Sequence, residues 1–241
     1  MNIVSFLAFT VPLGLYFGFT APWLFHYVSP VLPIITAYIF FLALMSFFKA
    51  AFSDPGILPQ NLHITSYSAT EHDFRMAQTS LPLLLAPISD SRSPSGMRHR
   101  ATTVHFCERC KIWRPPRASH CHTCDRCIDV RDHHCRLLNN CVGIRTYRYY
   151  VSFLIQLNLL GLLVSTSSFV HVFIYKRHEH TSALHAIRHA PVSFAIAFYA
   201  ITVTVIYPGR LLYQHIWLMK RGQKTRELVC GNGERRRYRI N

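Results

Sequence analysis

Residues Cys107 to Cys141 read C-E-R-C-K-I-W-R-P-P-R-A-S-H-C-H-T-C-D-R-C-I-D-V-R-D-H-H-C-R-L-L-N-N-C and hold seven of the chain's eight cysteines. Cys107/Cys110 and Cys121/Cys124 are spaced CxxC, and Cys127 extends the second pair to C-x2-C-x2-C. A two-residue gap lets both sulfurs of a tight knuckle face one ion. His120 adjoins Cys121, and His134 adjoins Cys135. Two knuckles, further thiols and interleaved histidines predict two closed Cys3His zinc sites. Such sites supply folding energy to a segment with little apolar core. Iron–sulfur ligation is the alternative use of the same thiols. No internal repeat is expected beyond the CxxC pairs.

Outward from this stretch the chain turns apolar. It has 241 residues, is 50% hydrophobic and carries a formal charge of +15. The apolar residues gather in four runs, Ile3–Phe25, Val31–Phe48, Tyr149–Tyr175 and Val192–Tyr207. A hydrocarbon layer about 30 Å thick needs roughly 20 helical residues. The first and third runs meet this length, the second is adequate, and the fourth draws on flanking residues, with Arg210 reaching back to the interface. The first run lacks a basic start and a small-residue cleavage site, so it reads as an anchor rather than a removable signal. The prediction is an α-helical integral membrane protein with four transmembrane helices. A small zinc-binding domain of short β-hairpins sits between spans 2 and 3.

Orientation follows from Lys and Arg placement. Phe52–Arg148 holds 13 of the 26 basic residues and the tail from Arg210 holds nine, whereas Lys176–Ala190 holds three. The large loop and the tail therefore face the cytosol, where disulfides are disfavoured and metal binding or catalysis explains clustered thiols. The domain expectation is a transmembrane hairpin over 1–52, a cytosolic linker over 53–105 and the zinc domain over 106–148. Spans 3 and 4 follow over 149–219, and a basic tail over 220–241. Ser53-Asp54-Pro55-Gly56 marks a turn at the membrane exit. Residues 58–100 show no clean helical or strand period, and Leu81–Pro87 is apolar but too short to span. The run Arg235-Arg236-Arg237-Tyr238-Arg239 is a solvated terminus or an attraction to anionic lipid. A basic zinc domain might suggest nucleic acid, but the knuckles show no finger pattern and are fixed to a membrane, so no nucleic-acid partner is expected. A metal transporter needs ionisable groups inside the spans, and only His171 qualifies.

Cys135 closes the tetrad Asp132-His133-His134-Cys135. The thiolate is the reactive form of cysteine, and a histidine that binds no metal can take the thiol proton while an aspartate fixes its tautomer. Adjacent side chains on an extended backbone point to opposite sides, so one histidine can face a metal and the other the reacting side. Spacing alone does not say which, and it leaves Cys135 either a nucleophile or a further ligand.

The tetrad in this frame resembles the DHHC protein S-acyltransferases (palmitoyltransferases). The likeness is close over Phe106–Phe153, and Asp54-Pro55-Gly56 and Lys224-Thr225-Arg226-Glu227 stand where that family has its DPG and TTxE elements. Ile112–Arg117 (I-W-R-P-P-R) resembles the fungal subfamily that acylates Ras proteins. The resemblance implies one zinc on Cys107, Cys110, His120 and Cys127 and another on Cys121, Cys124, His134 and Cys141. It makes Cys135 the nucleophile, His133 the base and Asp132 its orienter. It implies palmitoyl-CoA or a similar acyl-CoA as cosubstrate, its phosphates met by Arg114, Arg117, Arg145 or Arg148. The partners expected are membrane lipids, cysteine-containing membrane-associated proteins of Ras-like kind and an accessory subunit; the expected residence is the endoplasmic reticulum or Golgi. The chain departs from the family pattern at Arg136-Leu137 (usually Pro-Trp), Thr146 (usually Asn) and Lys224 (usually Thr). These departures lower the expected efficiency and favour the rival reading, a non-catalytic membrane scaffold. Cys230 has no assigned role.

Overall fold

The computed structural model describes residues 3–61, 83–87, 99–103, 105–178, 180 and 182–229. Cys230 and the arginine run at 235–239 lie outside them. Two compact units divide the chain. One comprises residues up to Ser53, Cys135–Asn139 and Tyr147–Arg221; the other comprises Asp54–His134, Asn140–Thr146 and the segment from Gly222 onward.

The first unit is helical because its long uncharged runs leave no other way to pair backbone groups away from water. Its elements are α1 (Ile3–Leu15), α2 (Ala21–Tyr27), α3 (Val31–Phe52), α4 (Tyr147–His178), α5 (Ala183–His189), α6 (Pro191–Tyr199) and α7 (Tyr207–Lys220). A π-helical segment, Ala200–Ile206, joins α6 to α7. By length and composition three helices among the described residues are long enough and apolar enough to cross a membrane: Val31–Phe52, Tyr147–His178 and Pro191–Lys220. The last continues well beyond the apolar run that ends at Tyr207, carrying Arg210, Gln214 and His215 on helix. The first apolar run is helical but segmented. A π-helical turn, Tyr16–Thr20, separates α1 from α2, with Pro12 inside α1 and Pro22 in the first turn of α2. Each proline removes a backbone donor, which favours such local repacking.

Leu13, Tyr16, Leu24, Leu160, Val164 and Ile196 form the apolar core of this unit. Polar pairs cross it. Tyr16 and Ser167 hydroxyls lie 3.2 Å apart, Thr20 and Ser193 lie 2.9 Å apart, and His171 Nδ1 is 2.8 Å from Ser193 Oγ beneath the Trp23 ring. His171, the one ionisable residue expected within a span, is thus held by a hydroxyl and an indole. Interhelical bonds of this kind contribute about 0.6 kcal/mol each. At Gly161 a Cβ would collide with Thr204 Oγ1 and lie 2.9 Å from Val205, so this glycine serves close helix approach.

Among the described residues there are four two-stranded sheets, built mainly from the second unit. The first hairpin, β1 (Leu83–Pro87) with β2 (His99–Thr103), pairs Leu83 with Thr103 through Pro87 with His99. The sequence reading gave no strand here, because an unbroken apolar run shows no alternation. The others are β3 (His105–Cys107) with β4 (Ile112–Arg114), β5 (Ser119–Cys121) with β6 (Arg126–Ile128), and β7 (His133–Cys135) with β8 (Asn140–Val142). These last three form a repeat the sequence reading did not find. Cys107, Cys121 and Cys135 stand 14 residues apart, and each is the last residue of its strand. Four residues after each, Lys111, Asp125 and Asn139 take positive φ (53°, 48° and 52°) to turn the chain back. The conformation suits Asp and Asn and strains Lys.

A seam of backbone bonds ties the DPG stretch to the hairpins. Asp129 N donates to Gly56 O, Leu58 N to Cys127 O and Asn61 N to Cys110 O, at 2.8, 2.9 and 3.0 Å. Asp54 Oδ1 accepts from the Gly56 and Ile57 amides, and its other oxygen accepts from Arg145. A Cβ on Gly143 would meet the Pro55 carbonyl and the Ile128 side chain, so only glycine admits this closeness. The compact unit that holds the hairpins includes Asp54 and the DPG stretch.

Candidate active site and metal centres

Two four-residue groups bring their ligand atoms within 4.8 Å of one another: Cys107, Cys110, His120 and Cys127, and Cys121, Cys124, His134 and Cys141. In the first, His120 Nδ1 lies 3.7, 3.4 and 3.9 Å from the three sulfurs. In the second, His134 Nδ1 lies 3.7, 3.4 and 3.7 Å from them, and Cys124 and Cys141 sulfurs are 3.6 Å apart. A tetrahedral zinc with Zn–S ≈ 2.3 Å and Zn–N ≈ 2.0–2.1 Å has edges of about 3.6 Å for S···N and about 3.8 Å for S···S. Both donor sets therefore fit a closed Cys3His zinc. The seven cysteines of this stretch are free thiols. Burial pushes the Cys127 and Cys141 thiols far up, and neighbouring cysteines add to it. Crowded buried thiolates repel one another, and a dication relieves that repulsion. The other ring nitrogen of His120 lies 3.3 Å from an Asp125 carboxylate oxygen, the usual outer partner of a metal-bound imidazole.

The linkage between repeats follows from these lists. Each group takes both cysteines of one knuckle and then a histidine and a cysteine from the next hairpin. His120 and Cys127 are directly paired across β5 and β6. The third repeat breaks the rule. Where the earlier ones have Cys110 and Cys124 it has Leu138, which is 1% exposed. The next element is a helix, α4, which begins at Tyr147. Cys135 belongs to neither four-residue group and is half-buried.

The two adjacent histidines part as strand alternation demands. His134 turns its Nδ1 to the thiols, and His133 Nδ1 lies 2.7 Å from Asp132 Oδ2. Asp132 is 1% exposed, and its Oδ1 accepts the Thr225 amide at 3.0 Å. Burial alone would raise the Asp132 carboxyl, but the bonds from His133 and Thr225 hold it below its ordinary value, hence ionised. An ionised carboxylate there makes Nδ1 the donor and Nε2 the nitrogen able to accept a proton.

The four arginines meet different surroundings. The Arg117 guanidinium is engaged by Glu227 at 2.7 and 3.1 Å and by the Gly222 carbonyl at 2.9 Å. Arg145 pairs with Asp54. Arg148 donates to the Tyr149 hydroxyl at 2.7 Å and lies over that ring. Arg114 has a buried Nε with no partner among the described residues. Burial lowers the Lys224 ammonium, Arg117 adds to this, and Asp132 and Glu227 oppose it. Sequence reasoning gave no role to Glu227 or to the Thr225 amide. Their only signal was the position of Lys224-Thr225-Arg226-Glu227 after the last span.

A family model described as DHHC palmitoyltransferase matches residues 101–231, more than half of the chain. The chain is 40% identical to Palmitoyltransferase ERF2 of Yarrowia lipolytica, over 96% of its own length and 58% of the relative's. It is 39% identical to Palmitoyltransferase erf2 of Emericella nidulans, over 95% and 37% of the two lengths. The palmitoyltransferase of the same name from Schizosaccharomyces pombe is 39% identical, over 94% and 63%. The chain thus spans between about a third and two thirds of the length of these relatives.

Proposed function

The chain belongs to the DHHC palmitoyltransferase family, and from that premise we propose that it is a protein S-acyltransferase that moves a long-chain acyl group from acyl-CoA to cysteines of membrane-associated proteins. The observation that carries this reading is the division of labour along one strand. His134 serves the thiol group, His133 is bonded to a buried carboxylate, and the Cys135 thiol belongs to neither metal-type cluster.

The reaction proceeds in two thioester exchanges. His133 Nε2 takes the Cys135 proton, and the thiolate attacks the acyl-CoA carbonyl. The new S–acyl bond forms as CoA thiolate leaves. A substrate cysteine thiolate then attacks the acyl-Cys135 carbonyl and regenerates Cys135. Each step replaces one thioester by another, so positioning rather than driving force governs the rate. Asp132 holds the His133 ring and stabilises its cationic form. Cys107, Cys110, His120 and Cys127, and Cys121, Cys124, His134 and Cys141, would each hold a zinc, which would supply structural cross-links that keep β7 in place.

The acyl chain would be taken up among the helices, each buried methylene contributing about 0.8 kcal/mol. The cavity lined by Leu13, Leu160, Val164, Ile196 and Tyr199 holds ≈ 30 Å3, too little for a long acyl chain as it stands. We read Ile3–Tyr27 as a fourth span, the hairpin unit and tail as cytosolic, and the residence as endoplasmic reticulum or Golgi. Arg114 and Arg148 remain the candidates for CoA phosphates. Ras-like proteins are the substrate class implied by Ile112–Arg117.

The test is acyl-enzyme formation with labelled palmitoyl-CoA. The wild type should acquire a hydroxylamine-labile label and the Cys135→Ser variant none, with metal near two per chain in both. Equal labelling of the two would end the reading. Label in neither would favour the scaffold alternative, to which Arg136-Leu137 points.

A further inference from the structure

Arg117 is separated from Glu227 by 110 residues, yet its guanidinium grips both carboxylate oxygens. Such a planar two-bond grip is directional as well as strong. The same guanidinium donates to the Gly222 carbonyl at 2.9 Å. Glu227 Oε2 in turn accepts the Lys224 amide at 2.8 Å. The carboxylate thus ties down both the start and the body of the short helix α8 (Thr225–Val229). The Thr225 amide points from that start to Asp132 Oδ1. Asp132 then has one donor on each oxygen, Thr225 on Oδ1 and His133 on Oδ2. Arg117 itself has a φ of 68°, which a side chain adopts only where its surroundings hold it there. The Arg117–Glu227 pair is mostly buried, at 25% and 10% side-chain exposure, so its geometry is little loosened by solvent.

We propose that Arg117 is a positioning residue for acyl transfer: through Glu227 it sets the 222–229 turn so that the Thr225 amide orients Asp132, and through Asp132 the His133 base. This rests on the acyltransferase reading above. It also withdraws Arg117 from the set expected to meet CoA phosphates, since its Nε and Nη2 are already engaged by Glu227 and Gly222. A purely structural pair would change stability alone. A positioning pair changes the rate of the step in which His133 takes the proton.

The experiment uses the full chain in membranes or detergent. Single-turnover acyl-enzyme formation is followed against palmitoyl-CoA concentration and pH for wild type, Arg117→Gln, Arg117→Lys, Glu227→Gln and the double Gln variant, with metal content measured for each. Arg117→Gln and Glu227→Gln should each lower the saturating rate on the order of tenfold, the equivalent of one lost orienting bond. The half-saturating acyl-CoA concentration should stay unchanged. The double variant should be no slower than either single, as for members of one network, and Arg117→Lys should recover part of the rate. The pH profile should shift with the saturating rate. An unchanged saturating rate with weaker acyl-CoA binding in Arg117→Gln would overturn the proposal and return Arg117 to the phosphate set. So would additive losses in the double variant. If Arg117→Gln fails to retain metal, the isosteric Glu227→Gln decides, and an unchanged rate there overturns it. A wild type that forms no acyl-enzyme fails the acyltransferase reading itself, a different result from a competent wild type matched by both variants.

Discussion

The β5–β6 and β7–β8 hairpins share a ground plan of one histidine and two cysteines, and at the position of the third cysteine they part. Each opens with a histidine and a cysteine on its first strand, turns through a positive-φ residue and places a cysteine on its second strand. In the first, Cys121 finds Cys124 three residues on, and the next hairpin completes the group. In the second, Cys135 finds Leu138, and a helix follows. The repeat builds metal sites between successive hairpins, so its last member necessarily carries an unclaimed thiol. The difference teaches that a cysteine outside both donor sets can arise at the end of a series of cysteines that belong to them.

The comparison breaks first under chelation. Removing metal should unfold both hairpins together, because structural zinc in such knuckles is worth about 10–16 kcal/mol; circular dichroism and proteolysis read this, and a folded metal-free domain would contradict it. Cys121→Ser and Cys135→Ser separate the roles next. Both should abolish acyl-enzyme, but only Cys121→Ser should cost a metal ion, as measured by elemental analysis. The histidines give a graded version. His134→Ala should lose metal, while His133→Ala should keep it and slow acyl-enzyme formation by about 10² to 10⁴. Leu138→Cys would restore the missing thiol, so added zinc or cadmium should inhibit this variant several-fold more than the wild type; equal inhibition would sink the account of why Cys135 is unclaimed. The smallest effect sharpens the turns. Lys111→Gly should stabilise the unit by about 1 kcal/mol and Asn139→Gly by almost nothing, read from thermal unfolding.

What the sequence made legible was local. The CxxC spacing located two cysteines of each donor set, the rest being assigned only through the family resemblance, and strand alternation required His133 and His134 to diverge without saying which went where. The 14-residue repeat was present in the letters, but Leu138 and Trp113 mask it where cysteines would stand. Contacts between distant segments were not legible. Arg117 was one of four arginines expected to meet CoA phosphates, and nothing in the letters pointed to the Gly222–Glu227 turn that engages it. The DPG stretch read as a linker because its partners are mostly backbone groups, which leave no trace in residue type. The π-helical breaks at Tyr16–Thr20 and Ala200–Ile206 likewise depend on packing rather than on hydropathy.

The Thr225 amide reaches Asp132 across 93 residues, and this gives the molecule a schedule. A ribosome releases the chain from its first residue onward, so β7 is made well before the turn that completes the Asp132 carboxylate. Two long helices and their connections must be synthesised in between. A nascent chain therefore displays Cys135 while the Asp132 carboxylate still lacks its Thr225 donor, which arrives only as the 222–229 turn docks.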